Sequence, residues 1–311
     1  AGRGRIVLLG HSDPVCPHGT AAARPLTHEG DRILGPGVCD MKGGLLTGIY
    51  ALEALAALGW REYGQIDYLC VSDEEIDQRH SIDLIRRVSH GADAVLTLEA
   101  ARENGDIVIA RKGVSWLTLT VQGKAAHAGV EPEKGRSAVL ALARMIVALD
   151  AINDPGRGIT LNIGLIEGGR LPNIVPDRAR AALEVRAFER AALDGAGGAV
   201  PDGGRRAARG GTPYGTAAEE VWPPMPATPA VLHLEVLAQR EAQALGFTVR
   251  GAHTGGAADA AFAADARAPA LDGLGPVGGL DHGPDEYILR SSIVPRTALL
   301  ARLMMAIVDG Q

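Results

Sequence analysis

Acidic and imidazole side chains follow three apolar runs of the sequence, at the point where each run ends. His11 follows IVLLG, Glu74 and Glu75 come after YLCVS, and Glu99 follows AVLTL. Short apolar runs bounded by glycine or polar residues are typical of buried strands in a parallel sheet. Because open α/β sheets bind ligands beyond the carboxyl ends of such strands, we expect these side chains to converge on one crevice.

The length and charge of the chain restrict the class of protein. Its 311 residues exceed the size at which single hydrophobic cores usually stop growing, which predicts two domains. The formal net charge of −6 argues against a nucleic-acid partner. The most apolar long segment, AVLALARMIVALDAI, carries Arg144 and Asp150, so we predict no membrane-spanning helix and no membrane partner.

The cysteines favour a reducing compartment. Cys16, Cys39 and Cys70 are odd in number and lack the CxxC spacing, so we expect no disulfide framework. No signal-peptide pattern precedes the first apolar run. We therefore predict a cytoplasmic location, unless a targeting segment has been removed.

The hydrophobic periodicity divides the chain into a discontinuous larger domain and an insertion. Residues 1–112 and 228–311 alternate strand-like runs with helical patterns such as AVLHLEVLAQREAQALG and VPRTALLARLMMAIVDG, which predicts an α/β fold with a mostly parallel central sheet. Within residues 113–227, VSWLTLTVQG alternates with period two, and a helical pattern and two more strands follow, which predicts a small α+β domain. We predict a loop containing a short strand and helix at residues 195–229. The segment FTVR, residues 247–250, is predicted to be a short strand.

Taken singly, the candidate side chains each allow two interpretations. His11 and Asp13 form either an ordinary hydrogen-bonded pair or a metal ligand with a partner that fixes its tautomer. Asp40, in GPGVCDMKGG, is either the N-cap of the following helix or a ligand. Glu74 and Glu75 form either an exposed acidic turn or a pair in which one residue binds a metal and the other transfers a proton.

The candidates belong to a series of segments that follow one another along the chain: GHSDPV, GPGVCDMKGG, SDEEI, LEAAR, GKAAHAG, GGRLPNIVPDRARAALEVR, TGGAADAAFAA and GLDHGPDEYI. These segments are similar to the successive motifs of the di-zinc metallopeptidase and deacylase family. That family includes glutamate carboxypeptidase, succinyl-diaminopimelate desuccinylase, acetylornithine deacetylase and the aminoacylases. The resemblance runs from His11 to about Ile307 and is greatest to the glutamate carboxypeptidase branch.

The resemblance implies a fold and a metal content. It implies a zinc-peptidase-like catalytic domain with an inserted ferredoxin-like domain, which dimerises and acts as a lid. It also implies two zinc ions per subunit, for which cobalt or manganese are substitutes, with Asp40 bridging the two ions. The implied metal ligands are His11, Asp40, Glu75, Glu99 and His282.

The resemblance also implies roles for residues that do not bind metal. Glu74 would be the general base and then the general acid, and Asp13 would orient His11. His127 of the HAG motif would enter the active site of the partner subunit and stabilise the oxyanion. The implied substrate contacts are Asn173, Arg186, Gly255 and Gly256.

The sequence departs from the family pattern at several positions. Trp222 stands where the glutamate carboxypeptidase branch tends to have an arginine that binds the terminal carboxylate of the substrate, and a tryptophan makes no ionic contact. Arg205, Arg206 and Arg209 are the alternative cations. The resemblance also implies a further N-terminal segment before the strand that ends at His11. The remaining departures are Asp77, Gln78, Ala100 and Ala258.

We therefore predict a zinc-dependent hydrolase of amide bonds in small anionic substrates. It would be carboxypeptidase-like, with a C-terminal glutamate or similar residue as its target, or an N-acyl-amino-acid deacylase. We expect a homodimer formed through residues 113–227 and no nucleic-acid or membrane partner. The alternative is a catalytically weak dimeric binding protein that retains the metal site.

Overall fold

The computed structural model describes residues 2–76, 80–207 and 213–310. The chain forms two compact units. Unit 1 consists of Ala1–Arg111, Met225–Thr254 and Ala258–Gln311, and unit 2 of Lys112–Pro224 and Gly255–Ala257. Asp77, Gln78, Arg209 and the side chain of Arg206 lie outside the described residues.

The elements alternate along the chain in three blocks. The first block is β1 (Arg3–His11), α1 (Thr20–Ala23), β2 (Thr27–Glu29), β3 (Arg32–Leu34), α2 (Gly43–Ala57), β4 (Tyr63–Val71), α3 (Ile82–Ser89), β5 (Ala94–Thr97) and β6 (Ile107–Arg111). The second is β7 (Gly113–Gln122), α4 (Ala138–Leu149), β8 (Thr160–Gly168), β9 (Arg178–Ala187), α5 (Arg190–Ala207) and β10 (Tyr214–Trp222). The third is α6 (Pro229–Ala244), β11 (Gly251–Thr254), α7 (Ala260–Asp265), β12 (Ala270–Leu271), β13 (Gly278–Gly279), β14 (Tyr287–Leu289) and α8 (Arg290–Asp309). Short helical turns lie at Val38–Lys42, Glu74–Ile76, Pro132–Lys134, Asp150–Ile152 and Pro155–Arg157.

The centre of unit 1 is a parallel four-stranded sheet in the order β12-β5-β1-β4. The predicted α/β class with a parallel sheet is therefore confirmed. Ile6 and Leu8 of the inner strand β1 are completely buried, which explains why this strand has a continuous apolar run. His11 is the last residue of β1, and Glu74 and Glu99 follow the ends of β4 and β5. All three residues therefore lie at the same edge of the sheet, where its parallel strands end.

Helix α2 approaches β5 closely because its first turn is built from glycine. A Cβ atom at Gly44 would collide with the carbonyl oxygen of Leu98, directly after β5. The absence of a side chain therefore lets the helix N-terminus pack over the end of the strand. This contact brings the turn that contains Asp40 near Glu99.

The core of unit 1 is completed by the long helices. Helices α2 and α6 both pack against α8, and buried Leu, Ala and Met side chains of α8 lie in the same cluster as those of β1 and β5. Among the described residues, α8 is long and apolar enough to cross a membrane, judged by length and composition. However, 56% of its most apolar 18-residue stretch is buried inside the protein. It begins at Arg290, before the predicted VPRTALLARLMMAIVDG segment, so that Pro295 lies in its second turn.

Unit 2 has the βαββαβ connectivity of a ferredoxin-like domain. Its antiparallel sheet has the order β10-β7-β9-β8, and α4 and α5 pack against the inner strands. Alternate residues of β9 are buried, as expected for a sheet with one covered face. Helix α4 begins where the Ser137 side chain accepts a hydrogen bond from the Leu140 N–H.

Two of our predictions of local structure were wrong. Residues 195–229 are largely regular, because α5 and β10 occupy most of this segment. Leu193, Ala196 and Val200 form a buried apolar stripe on α5, and this packing outweighs the low helix propensity of its glycines and of Pro201. The predicted strand at 247–250 buries Val249, but the ladder to β6 begins only with β11, at Gly251.

We predict that replacing Leu8 with alanine destabilises the protein strongly. Leu8 is completely buried in the central strand, so the substitution should cost about 2–5 kcal/mol of unfolding free energy. Urea unfolding followed by circular dichroism measures the loss. The control is Leu58→Ala, because Leu58 is 74% exposed, and equal stability of the two variants would contradict the packing.

Candidate active site

The imidazole of His11 is held at the end of β1 by contacts at both of its nitrogens. Its Nδ1 lies 2.9 Å from the backbone carbonyl oxygen of Asp13. Because a carbonyl only accepts, Nδ1 carries a proton and donates it, and Nε2, which is also protonated when no metal is bound, donates to the Oδ1 of Asp40 at 2.9 Å. We expected the Asp13 side chain to make the first contact. That side chain instead accepts a hydrogen bond from the Glu75 N–H at 2.9 Å, and its other oxygen lies 3.5 Å from Nδ1.

The carboxylate of Asp40 lies between two imidazoles. Its Oδ1 is 2.9 Å from His11 Nε2, and its Oδ2 is 2.9 Å from His282 Nε2. The N-cap interpretation of Asp40 does not hold, because the N-cap of α2 is Lys42 and no side chain caps that end. Each carboxylate oxygen thus faces a different imidazole, an arrangement in which one carboxylate could bridge two ions.

Glu75 and Glu99 complete this cluster from two other strand ends. Glu75 Oε1 lies 3.2 Å from His282 Nε2, and Glu99 Oε1 lies 3.6 Å from His11 Nε2. One ligand atom each from His11, Asp40 and Glu75 lie within 4.8 Å of one another. The structure therefore brings together all five residues that the resemblance implied as metal ligands.

Burial and mutual repulsion shift the pKa values of these acids. Burial first, and then the negative charge of Glu99, raises the pKa of Glu74 to about 9. Burial and the charge of Asp40 raise the pKa of Glu75 to about 7. In contrast, burial at Asp40 is outweighed by the combined hydrogen bonds and positive charges of His11 and His282, which lower the pKa of Asp40. Burial at His11 is likewise outweighed by its hydrogen bonds to Asp40 and Glu99 together with the nearby negative charges, which raise the pKa of His11 to about 12. Crowded carboxylates of this kind are stabilised by bound cations.

The nitrogen and oxygen atoms of these five side chains fit a metal ion that is intermediate between hard and soft. Imidazole nitrogen and carboxylate oxygen are the ligands that zinc takes in catalytic sites. Glu75 Oε1 is buried and, apart from its ion-pair contact with His282, accepts no hydrogen bond from the described residues, so this oxygen is suited to binding a cation. The residues present therefore fit the group that the resemblance implied.

The three adjacent acids after β4 have different surroundings. The Asp73 carboxylate accepts hydrogen bonds from the backbone N–H groups of His80 and Ser81, at 2.9 and 3.2 Å. It therefore shapes the turn. Glu75 faces His282, and the pKa of Glu74 is affected by the charges of Glu99 and His11. The resemblance implied different roles for Glu74 and Glu75, whereas no role was predicted for Asp73.

Three buried residues near the cluster were not recognised from the sequence. Arg111 donates from Nε to Asp272 Oδ2 at 2.5 Å, and both residues are buried. Burial raises the pKa of Asp259 well above its usual value, the charge of His11 acts against this shift, and the charge of Glu99 adds to it. Nothing in the residue spacing connects Asp259 or Asp272 with His11, since they are distant in sequence.

In unit 2, His127 and Asn173 lie on two paired loop segments. His127 forms a β-bridge with Ile174, and the Ala128 N–H donates to the Asn173 carbonyl at 2.9 Å. His127 Nδ1 accepts hydrogen bonds from the N–H groups of Gly129 and Val130, both at 3.2 Å. The neutral ring therefore carries its proton on Nε2. The imidazole is exposed and presents that N–H as a donor.

Arg186 lies at the other end of β9 and is already paired. Its Nε and Nη2 each donate to one oxygen of Glu184 at 2.9 Å, and its Nη1 donates to the Gly255 carbonyl at 2.8 Å.

Trp222 is buried at the end of β10, and its ring packs edge-on against Trp116 with 6.1 Å between the ring centroids. The Trp222 ring is therefore a packing element.

Sequence comparison identifies the family of this chain. The family model described as "Peptidase family M20/M25/M40" matches residues 7–306. The chain belongs to this peptidase family. Carboxypeptidase G2 from Pseudomonas sp. (strain RS-16) is 31% identical over 321 residues, which cover 100% of this chain and 76% of that protein. Succinyl-diaminopimelate desuccinylase from Methylocella silvestris is 30% identical over 60% of this chain and 52% of its own length.

Solved structures share the fold of this M20-family chain. Aminopeptidase PepT from Bacillus cereus matches with a TM-score of 0.84 at 24% identity, covering 98% of this chain and 81% of its own. The M20 family metallo-carboxypeptidase Sso-CP2 from Sulfolobus solfataricus matches with a TM-score of 0.75 at 18% identity, covering 99% and 86%. The protein is thus a metal-dependent hydrolase of amide bonds, of the carboxypeptidase and deacylase kind. The alternative of a catalytically weak binding protein is not favoured.

We predict that the metal-free protein loses stability as the pH rises from about 5 to about 9. Glu74, Glu75 and His11 have folded-state pKa values above their ordinary ones, so the folded chain binds more protons than the unfolded chain in this range. The thermal midpoint of chelator-treated protein, measured across the range, tests this.

The control for this pH dependence is Glu74→Gln, in which a neutral amide replaces one raised carboxyl and the decline should be shallower. Added zinc should flatten the decline in the unsubstituted protein, because the metal replaces the protons. A metal-free midpoint that rises between about pH 5 and pH 9 would contradict the crowding of these acids.

Proposed function

We propose that the chain is a two-zinc hydrolase of amide bonds with Asp40 as the shared ligand. The observation that carries this proposal is that the two oxygens of Asp40 face different imidazoles, each at 2.9 Å. In this proposal His11 and Glu99 hold one zinc, and Glu75 and His282 hold the other. Cobalt and manganese are the expected substitutes. When bound, the two ions polarise the scissile carbonyl and make water a nucleophile near neutral pH.

In this proposal Glu74 is the group that moves the proton. It takes a proton from the attacking water and returns it to the leaving amine. Its pKa is raised to about 9 by burial and by nearby acids, and two divalent cations close by would lower it toward neutrality. A base with a pKa near the working pH both accepts and returns a proton efficiently.

The proposed substrate is a small anionic amide. The similarity to carboxypeptidase G2 and to succinyl-diaminopimelate desuccinylase supports a substrate with a carboxylate near the scissile bond. Arg186 is the proposed cation, together with Asn173, Gly255 and Gly256. Because Glu184 already neutralises Arg186, a substrate carboxylate must displace or share that partner. Selectivity for the anion would then depend on Glu184 as well as on Arg186.

We further propose that His127 acts in the active site of a partner subunit. His127 and Asn173 lie beside the start of β9 and Arg186 near its end, and a strand of 10 residues extends roughly 30 Å. One small substrate therefore cannot contact both ends of the same unit 2, so the Asn173 that contacts the substrate would come from the partner subunit together with His127, and Arg186 from the subunit that binds the substrate. The exposed His127 Nε2–H would donate to the oxyanion of the neighbouring subunit.

An exposed apolar surface supports a homodimer through unit 2. β8 is an edge strand with exposed Leu165 and Ile166, and α4 exposes Leu140 and Val147. Exposed edges and apolar patches of this kind are usually covered by a partner.

We also propose a cytoplasmic location, which the three free cysteines support.

We predict that Glu74→Gln lowers kcat by at least about 100-fold and leaves the metal content unchanged. Glutamine keeps the size of the side chain but accepts no proton. Hydrolysis of acyl-glutamate, acyl-ornithine and succinyl-amino-acid amides measures the activity, and elemental analysis measures the zinc. The control is Glu53→Gln on the exposed face of α2. Full turnover by the Glu74 variant would refute the assignment of the base.

We predict that His127→Ala also lowers kcat strongly, and that mixing it with Glu74→Gln restores part of the activity. In a mixed dimer, one active site would have both an intact Glu74 and an intact His127 from its partner. The measurement is the rate after dissociation and reassociation of the two variants, compared with each variant reassociated alone. If the mixture is no more active than its components, His127 does not act across subunits.

A further inference from the structure

The buried side chain of Glu286 binds the turn that contains Asp40. Glu286 follows His282 by four positions and is 2% exposed. Its Oε2 accepts a hydrogen bond from the Gly37 N–H at 2.8 Å, and its Oε1 accepts from the N–H groups of Cys39 and Asp40 at 2.8 and 3.0 Å. One carboxylate therefore holds three backbone donors of the same turn.

The shape of the turn is suited to this contact. Gly37 has φ of 75°, a left-handed conformation that glycine adopts without strain. Successive N–H groups in a turn of this kind point into one concavity that binds an anion. Hydrogen bonds to an ionised carboxylate are about twice as strong as neutral ones. The Glu286 side chain thus fixes the backbone from which the Asp40 carboxylate projects.

The same residue connects the two chain segments that contain Asp40 and His282. The Gly35 N–H donates to the backbone carbonyl of Glu286 at 3.3 Å, and β14, directly after Glu286, pairs with β3. Both the main chain and the side chain of Glu286 therefore bind residues 35–40. The 2.9 Å contact between Asp40 Oδ2 and His282 Nε2 depends on this alignment.

We propose that Glu286 is a positioning residue that orients Asp40 between the two metal ions. This inference rests on the proposed two-zinc site. Asp40 is the ligand common to both ions, so a rotation of its carboxylate should weaken both sites together. Partners that orient metal ligands typically contribute about 10- to 100-fold to metal affinity.

The test is the metal affinity of Glu286→Gln, measured by titrating zinc into chelator-treated protein. A glutamine amide directs N–H groups at backbone donors, so we expect both affinities to fall by about 10- to 100-fold. The visible spectrum of the cobalt-loaded variant should also change, because that spectrum reports ligand geometry. Asp285→Asn is the matched control: it removes one negative charge from the adjacent exposed residue and should leave both affinities unchanged. His282→Ala is the comparison that should weaken mainly one site.

The outcomes separate this inference from the proposed function. If the unsubstituted protein fails to bind two ions, the two-zinc proposal itself fails. If it binds two and Glu286→Gln binds both as tightly, with an unchanged cobalt spectrum, the positioning role is refuted alone. Glu286→Asp keeps the charge but shortens the side chain, and serves as the second variant if the glutamine variant does not fold. Loss of the folded state in both variants would overturn the proposal, because Glu286 would then be a residue of the fold.

Discussion

The sharing of one carboxylate between two imidazoles is the interaction on which the rest of the site depends. Asp40 lies 2.9 Å from both His11 and His282, and three further acids crowd the same space. Burial first, and then the charges of neighbouring acids, raise the pKa values of Glu74 and Glu75, which indicates that the ionised cluster is costly without cations. Two divalent ions would turn the same repulsion into attraction. The fold therefore gathers an acidic cluster that, in the proposed function, bound metal ions would stabilise.

The scaffold creates this cluster by simple means. Parallel strands place His11, Glu74 and Glu99 at one edge of the sheet, and the close approach of α2 at Gly44 brings the Asp40 turn to that edge. The backbone carbonyl of Asp13 accepts from His11 Nδ1, so that Nε2 is directed inward. In unit 2, backbone donors bind Nδ1 of His127, so that its outward Nε2–H is a donor. Main-chain groups thus orient both imidazoles.

Much of this could be predicted from the sequence, because buried parallel strands leave a simple signal. The apolar runs before His11, Glu74 and Glu99 gave the strand ends and hence their common edge. Asp40 and His282 belong to turns rather than strands, so only the family resemblance assigned them. Helix α5 was predicted only as a short helix within a loop, because its glycines and Pro201 obscure an apolar stripe that becomes evident only from tertiary packing. The hydrogen bonds of Glu286 could not be predicted either, since they join residues about 250 positions apart.

The most direct test of the two-metal arrangement is anomalous diffraction from crystals of the zinc-loaded protein, recorded at the zinc absorption edge. We predict two peaks per subunit, one on each side of the Asp40 carboxylate, with His11 and Glu99 beside one peak and Glu75 and His282 beside the other. A single peak, or peaks that do not share Asp40, would contradict the arrangement.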